Sequence, residues 1–212
     1  MKILSVLLIS FSLMSCAQSD ASASHSHSSK SPGMNQPLDS LQTAYFASGC
    51  FWCVEAVFES VNGVQEVVSG YSGGASKNPS YEEICTGKSG HAESVKVYYD
   101  SSIVSYETLV EVFFNSHDPS TLNRQGPDAG TQYRSAIFYE TDAEREIVNA
   151  AINKLKASGT KVTTIVSPLD VFWDAEDYHQ NYEELHPNQP YVRSVSIPRL
   201  NAFKAKMPEV LK

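Results

Sequence analysis

The feature that most constrains the fold is an alternation of strand-like and helix-like segments from about Leu41 to the end of the chain. Alternating or β-branched apolar residues predict strands, and apolar residues spaced three and four apart predict helices. The predicted strands are 43–47, 64–69, 93–99, 134–139 and 161–166, and the predicted helices are 53–60, 105–116, 141–157, 175–182 and 201–207. Interspersed elements of this kind predict an α/β fold, a two-layer α/β sandwich with a mixed sheet and a ferredoxin-like core.

Local signals mark where several of these elements begin and end. Ser105 is placed to cap one helix, and Thr141 with Glu144 forms the pattern of a capping box at the start of another. Gly159 should end that second helix, and the glycine-rich stretch 70–74 predicts a turn after a strand. Neither an internal repeat nor a composition shift divides residues 41–212, so we expect one domain.

The first 16 residues have the pattern of an export signal. Lys2 precedes an apolar run over 3–14, which is too short to cross a bilayer because a spanning helix needs roughly 20 residues. Residues 13–16 resemble a bacterial lipobox, in which the cysteine is lipidated, so we expect Cys16 to carry a lipid anchor and the protein to be periplasmic and membrane-anchored. The alternative is an ordinary secretory signal with an incidental cysteine.

Residues 17–40 form a segment rich in serine, alanine and histidine, with too little apolar content to fold alone. We interpret it as a flexible tether with a reach of roughly 27 Å. Its His25 and His27 are interpreted as spacer residues, because two histidines in a flexible chain make a poor metal site.

The overall charge argues against one class of partner. The chain has 16 basic and 24 acidic residues, a formal net charge of −8, and its basic residues are scattered. A stripe of positive charge able to follow a phosphate backbone is therefore not expected. We predict no nucleic-acid partner and a monomeric protein.

The cysteines point to redox chemistry. Apart from Cys16, the domain has three cysteines: Cys50, Cys53 and Cys85. Because their number is odd, they cannot all be paired in disulfides. The set is also one ligand short of a zinc site built from cysteines alone, and there is no second Cys-x-x-Cys. We therefore expect a redox-active pair, with no metal and no bound cofactor.

The position of Cys50 suggests how it would be activated. Gly49 ends a predicted strand and a helix follows, so Cys50 should lie at the helix N-terminus, where free N–H groups and the helix dipole lower a thiol pKa. Cys53 lies one turn further along, close enough to form a disulfide. The alternative is a pair of buried cysteines acting as small hydrophobic residues, for which the intervening Phe51 and Trp52 would be an unusual choice.

Four blocks of sequence, in order, resemble the signature segments of the A-class peptide methionine sulfoxide reductases. They begin with Gly49-Cys50-Phe51-Trp52 and continue with 78–85 together with 90–95, 126–135 and 175–182. They span nearly all of residues 41–212, whereas residues 1–40 lie outside the resemblance. One short block would be weak, but four in order are highly specific.

The resemblance implies reduction of the S epimer of methionine sulfoxide, free or within oxidised proteins. A sulfoxide presents an electrophilic sulfur, a polar oxygen and a methyl group. The resemblance implies that Cys50 is the nucleophile and that Glu93 donates a proton, with a pKa raised by burial. Tyr81 and Tyr133 would donate hydrogen bonds to the oxygen, and Phe51 and Trp52 would bind the methyl group. Asp128 would orient water or the backbone.

The implied cycle leaves Cys50 as a sulfenic acid, which a second thiol converts to a disulfide. Many family members carry resolving cysteines near the C-terminus, and this chain has none after Cys85. Cys53 is therefore the leading candidate and Cys85 a weaker one. A thioredoxin-like partner would then reduce the disulfide.

Simpler interpretations remain open for several positions. Glu93 could be a surface residue of a strand, and Tyr81 and Tyr133 could be ordinary core tyrosines. Packing would explain His179 and Tyr182 nearly as well as a role in the site. At the level of the whole protein, the alternatives are a general thiol–disulfide oxidoreductase and a metal-binding surface lipoprotein that uses its histidine-rich tail.

Overall fold

The computed structural model describes residues 37–212. The predicted export signal with Cys16, and the predicted tether as far as residue 36, lie outside the described residues and stay predictions. The strands are β1 (Gln42–Ser48), β2 (Val64–Ser72), β3 (Ala92–Tyr99), β4 (Arg124–Gln125), β5 (Asp128–Ala129), β6 (Ser135–Tyr139), β7 (Ile165–Pro168) and β8 (Phe172–Asp174). The α-helices are α1 (Phe51–Glu59), α2 (Tyr81–Cys85), α3 (Tyr106–Asn115), α4 (Asp142–Ala157), α5 (Tyr182–Leu185) and α6 (Ile197–Lys206). None of the helices in this part of the chain has the length and apolar character needed to cross a bilayer.

Six strands form one sheet in the order β7-β6-β1-β3-β2-β8. The β6–β7 pair is parallel and the other four pairs are antiparallel, so the sheet is mixed. This confirms the predicted α/β sandwich with a mixed sheet, whereas the ferredoxin-like core stays a prediction. Cys50 follows the end of the central strand β1, and Glu93 lies at the start of the neighbouring strand β3.

The core lies between one face of the sheet and the helices. Phe46 of β1 is fully buried and its ring stacks on Phe58 of α1 at 4.7 Å and on Phe113 of α3 at 5.4 Å. Successive strand residues point to opposite faces, and Tyr45 accordingly belongs to a smaller apolar cluster on the other face, with Phe138. The strand that precedes Cys50 is thus fixed from both sides.

The capping signals are confirmed in part. The hydroxyls of Ser105 and Thr141 accept hydrogen bonds from backbone N–H groups of the helices that follow them. The carboxylate of Glu144 accepts from the N–H of Glu140, one residue earlier than a capping box requires. A complete capping box occurs at Ser80 and Glu83, where it begins the unpredicted helix α2 and positions the adjacent Tyr81.

Some predicted elements were wrong in detail. The stretch 70–72 belongs to β2, so the turn begins only at Gly73. The last helix starts at Ile197 rather than 201 and follows directly on a π-helical turn, Val192–Ser196. The predicted strand over 161–166 begins at Ile165, because Thr163 instead hydrogen-bonds to the carbonyl of Pro119.

The predicted helix over 175–182 is divided. A 3₁₀ turn covers Asp177–His179, and α5 begins only at Tyr182. Asn181 between them has a φ of 54°, a left-handed conformation that interrupts a right-handed helix. The peptide N–H of Asn181 donates to the carboxylate of Glu55, which is distant in sequence, so a tertiary contact accompanies the break.

Candidate active site

Cys50 lies at the junction between β1 and α1, as predicted. It is the N-cap residue of α1, directly after Gly49. Gly49 has a φ of +88°, and a Cβ there would lie 2.6 Å from Cβ of Gln125, so both the backbone conformation and the space require glycine. Gly49 turns the chain from the end of β1 into α1, and so positions Cys50 at the start of the helix.

The expected low pKa of Cys50 is wrong for the resting protein. Cys50 is 7% exposed, and burial raises the pKa of its thiol well above the ordinary value. The helix terminus offers less compensation than the sequence suggests, because the N–H of Phe51 donates to Glu93 at 3.0 Å. The thiol of Cys50 therefore rests in its protonated form and must lose the proton during reaction.

Glu93, the second residue of β3, is 1% exposed, which excludes the surface interpretation. Burial raises the pKa of its carboxyl group to about 8, although the hydrogen bond from Phe51 opposes the shift. At neutral pH most of the population therefore carries a proton. A neutral carboxyl group beside a buried thiol can act as a general acid.

Tyr81 and Tyr133 are half-buried hydroxyl donors near Glu93. Burial raises the pKa of both phenols, and the charge of Glu93 raises each further. Both hydroxyls are therefore close enough to the Glu93 carboxyl group to interact with it electrostatically. Cys50 contributes in the same way to Tyr133. The structure thus brings together four of the predicted groups: one thiol, one carboxyl group and two phenols.

Phe51 and Trp52 differ in exposure. Phe51 is 1% exposed and packs against the rings of Tyr81 and His179, at centroid distances of 6.4 and 4.9 Å. Trp52 is half-buried, and its indole stacks on Tyr182 at 3.7 Å. Trp52 is therefore the member of the pair that can offer a surface to a methyl group, while Phe51 supports it from within.

The environment of Cys53 differs from that of Cys50. Cys53 is 2% exposed, and the thiol of Cys50 donates a hydrogen bond to its sulfur. This hydrogen bond, with the positive charge of Arg199 and the hydroxyls of Ser196 and Tyr191, lowers the pKa of Cys53 to about 6 despite burial. The interaction between the two thiols therefore acts in opposite directions, raising the pKa of Cys50 and lowering that of Cys53.

Tyr191 and Arg199 are functional candidates that the sequence did not reveal. The hydroxyl of Tyr191 lies 3.9 Å from the sulfur of Cys53 and donates to Asp128 at 2.5 Å. The guanidinium of Arg199 donates to the backbone carbonyl and hydroxyl of Ser48, each at 2.9 Å. Both residues line a cavity of about 330 Å³ with Cys53, and both come from the C-terminal region, where no motif pointed to them.

Asp128 and Cys85 also have partners other than those expected. The carboxylate of Asp128 accepts a hydrogen bond from the hydroxyl of Tyr191. Its partner is therefore a side chain, whereas the sequence suggested that Asp128 orients water or the backbone. Cys85 is an exposed thiol at the end of α2, and the hydroxyl of Tyr81 donates to its sulfur. Cys85 therefore lies on the Tyr81 side of the site, whereas Cys53 contacts Cys50 directly.

Comparison with known proteins gives a consistent result. Residues 42–210 match the family model described as peptide methionine sulfoxide reductase. The chain is 50% identical over 163 residues to the peptide methionine sulfoxide reductase MsrA of Nautilia profundicola, covering 77% of this chain and 94% of that protein. It is 47% identical to the MsrA of Saccharolobus solfataricus, covering 81% and 98%.

Solved structures show the same similarity. Reduced Mxr1 from Saccharomyces cerevisiae superimposes with a TM-score of 0.65 at 33% identity, covering 69% of this chain and 86% of that chain. Methionine sulfoxide reductase A of Corynebacterium diphtheriae superimposes with a TM-score of 0.63 at 39% identity, covering 69% and 75%.

Proposed function

The chain belongs to the peptide methionine sulfoxide reductase family, A class, a family of thiol-dependent enzymes, and on that premise we propose that it reduces the S epimer of methionine sulfoxide. In this reaction Cys50 attacks the substrate, Glu93 is the acid and Cys53 is the resolving thiol. The observation that carries the proposal is the protonated, buried Glu93 fixed to the N–H of Phe51, immediately beside Cys50. A carboxyl group that can donate a proton and a thiol that can act as nucleophile therefore lie at the same helix terminus, which supports the proposal.

In the first step, the sulfur of Cys50 bonds to the sulfoxide sulfur while Glu93 gives its proton to the sulfoxide oxygen. The proton of the Cys50 thiol passes to the Glu93 carboxylate, so Glu93 ends the step protonated. The oxygen is then transferred to the sulfur of Cys50: the S–O bond of the substrate and the newly formed S–S bond break, and a new S–O bond forms on Cys50. Methionine leaves and Cys50 becomes a sulfenic acid. Two electrons move from the cysteine sulfur to the substrate sulfur. The hydroxyls of Tyr81 and Tyr133 stabilise the developing charge on oxygen.

In the second step, the Cys53 thiolate attacks the sulfur of the Cys50 sulfenic acid. A disulfide forms, and the hydroxyl group leaves as water after taking up one proton. Cys53 fits this role because it already contacts the Cys50 thiol and has a low pKa at rest. A dithiol reductant of the thioredoxin class then reduces the disulfide and is itself oxidised, which restores both thiols.

A Cys53→Ser variant separates the two steps. We expect it to form about one equivalent of methionine per enzyme and then to stop when thioredoxin is the reductant, because the sulfenic acid has no partner thiol. The wild-type protein should continue for many turnovers. Methionine is quantified by chromatography after incubation with a methionine sulfoxide peptide.

Cys85→Ser is the matched control, since it removes the other described candidate while a serine hydroxyl can still accept from Tyr81. It should turn over with thioredoxin. Full thioredoxin-linked turnover of Cys53→Ser would exclude Cys53 as the necessary resolver. Absence of methionine from the wild-type protein with any thiol reductant would overturn the proposed function itself.

A further inference from the structure

We propose that His179 and Tyr182 are positioning residues that clamp Trp52 in the orientation needed to bind the sulfoxide methyl group. The inference rests on the proposed function and adds to it two residues that hold the methyl-binding side chain of Trp52 in place. Trp52 is half-buried, whereas its neighbours Phe51 and Cys53 are almost completely buried. Its position therefore depends on the specific contacts that its indole makes.

Two contacts fix the indole in different ways. The ring of Tyr182 lies parallel to it, with a centroid distance of 3.7 Å and an angle of 7° between the planes. The Nε1–H of Trp52 donates a hydrogen bond of 3.1 Å to Nδ1 of His179. Stacking fixes the plane of the ring, and the hydrogen bond fixes its rotation within that plane.

His179 is itself held in one state. It is 1% exposed, and burial lowers its pKa, so the ring is neutral. Because Nδ1 accepts from Trp52, the proton of the neutral ring resides on Nε2. The ring also packs 4.9 Å from Phe51 and 4.4 Å from Tyr81, measured between centroids. One imidazole thus contacts three aromatic residues of the site: Trp52, Phe51 and Tyr81.

The segment that carries the clamp is anchored to the core. Buried Glu55 of α1 accepts the N–H of Asn181 at 2.7 Å and the hydroxyl of Ser69 at 2.8 Å. The side-chain amide of Gln180 forms hydrogen bonds of 2.8 and 3.0 Å with the N–H and carbonyl of the same Ser69. Helix α1 therefore holds the segment through Glu55, and the segment holds Trp52, one turn away on the same helix.

The clamp predicts a loss of binding rather than of chemistry. Tyr182→Ala and His179→Ala should each raise the KM for a methionine sulfoxide peptide about fivefold or more, because a mobile indole binds the methyl group less often in the productive orientation. The single-turnover rate at saturating substrate should fall less than the KM rises. Tyr182→Phe keeps the ring, and His179→Asn keeps an acceptor near the position of Nδ1, so both should stay within about twofold of wild type.

A second readout follows the indole directly. The sequence has two tryptophans, so Trp52 is the single fluorophore in a Trp173→Phe background. In that background, Tyr182→Ala and His179→Ala should increase acrylamide quenching of Trp52, and Tyr182→Phe should not. Tyr182→Leu retains apolar bulk without the parallel stack and replaces Tyr182→Ala if the alanine variant does not fold.

Two outcomes would overturn the clamp. One is an unchanged KM with unchanged quenching in the alanine variants. The other is an equal loss in Tyr182→Phe and Tyr182→Ala, which would assign the effect to the hydroxyl instead of the stacked ring. Either result requires a wild-type protein that reduces the peptide. A wild-type protein with no activity would refute the proposed function, not the clamp, because quenching would still report on Trp52.

Discussion

Replacement of Cys50 by serine should abolish reduction of methionine sulfoxide, with a fall in single-turnover rate on the order of 10⁴-fold or more, as for other enzymes that lose their one covalent nucleophile. The serine hydroxyl has no sulfur to which the substrate oxygen could be transferred, so no sulfenic acid can form. Serine nevertheless fits the 7% exposed position and can donate to Cys53 as the thiol does. The loss should therefore not come from unfolding.

The measurement is methionine released in one turnover, before any recycling reagent is added. Cys85→Ser, which removes the exposed thiol at the end of α2, controls for general effects of cysteine replacement. Thermal unfolding of Cys50→Ser should remain close to that of wild type. Methionine formation by a folded Cys50→Ser protein at an appreciable fraction of the wild-type rate would assign the nucleophile to another residue.

What the sequence predicted well is what local chemistry determines. A predicted strand ends at Gly49 and residues with helical spacing follow, which predicts Cys50 at a helix N-terminus. In the structure Cys50 is the N-cap residue. The caps Ser105 and Thr141 act within four residues of themselves. The burial of Glu93 was an expectation of the family resemblance, and its strand supported it.

What the sequence could not predict depends on distant contacts. The pKa of Cys50 is raised mainly by burial, and further by Cys53 and Glu93. Glu93 also accepts the N–H of Phe51, which is 42 residues away in the sequence. The break at Asn181 coincides with a hydrogen bond to Glu55 across 126 residues. Glu55 did leave a signal, since it is the single charge in the otherwise apolar stretch 50–58. Tyr191 and Arg199 left none.

The second large effect concerns Glu93→Gln, for which we expect a fall in kcat/KM of about 10²- to 10⁴-fold, the usual contribution of a general acid. The amide oxygen of glutamine can still accept the N–H of Phe51, so the variant isolates the proton from the hydrogen bond. With the pKa of Glu93 raised to about 8, wild-type kcat/KM should be level below that pH and fall above it as the carboxyl group ionises. The variant should lack this decline, and a decline that persists unchanged would belong to another group.

The same substitution should stabilise the fold while it slows the reaction. In the unfolded chain Glu93 ionises near its ordinary pKa of 4.5, whereas in the folded protein burial holds the proton until about pH 8. Below pH 4.5 Glu93 is protonated in both the folded and the unfolded protein, so its burial does not lower the free energy of unfolding. Between pH 4.5 and about pH 8 ionisation of Glu93 stabilises the unfolded state, so the free energy of unfolding falls as the pH rises. At pH 7 this loss is roughly 2–4 kcal/mol. Glutamine removes it, so the gain in free energy of unfolding should be absent at pH 4 and large at pH 7, measured by urea denaturation. An effect on the free energy of unfolding that is no more stabilising at pH 7 than at pH 4 would mean that Glu93 is ionised in the folded protein at pH 7 and is not the acid.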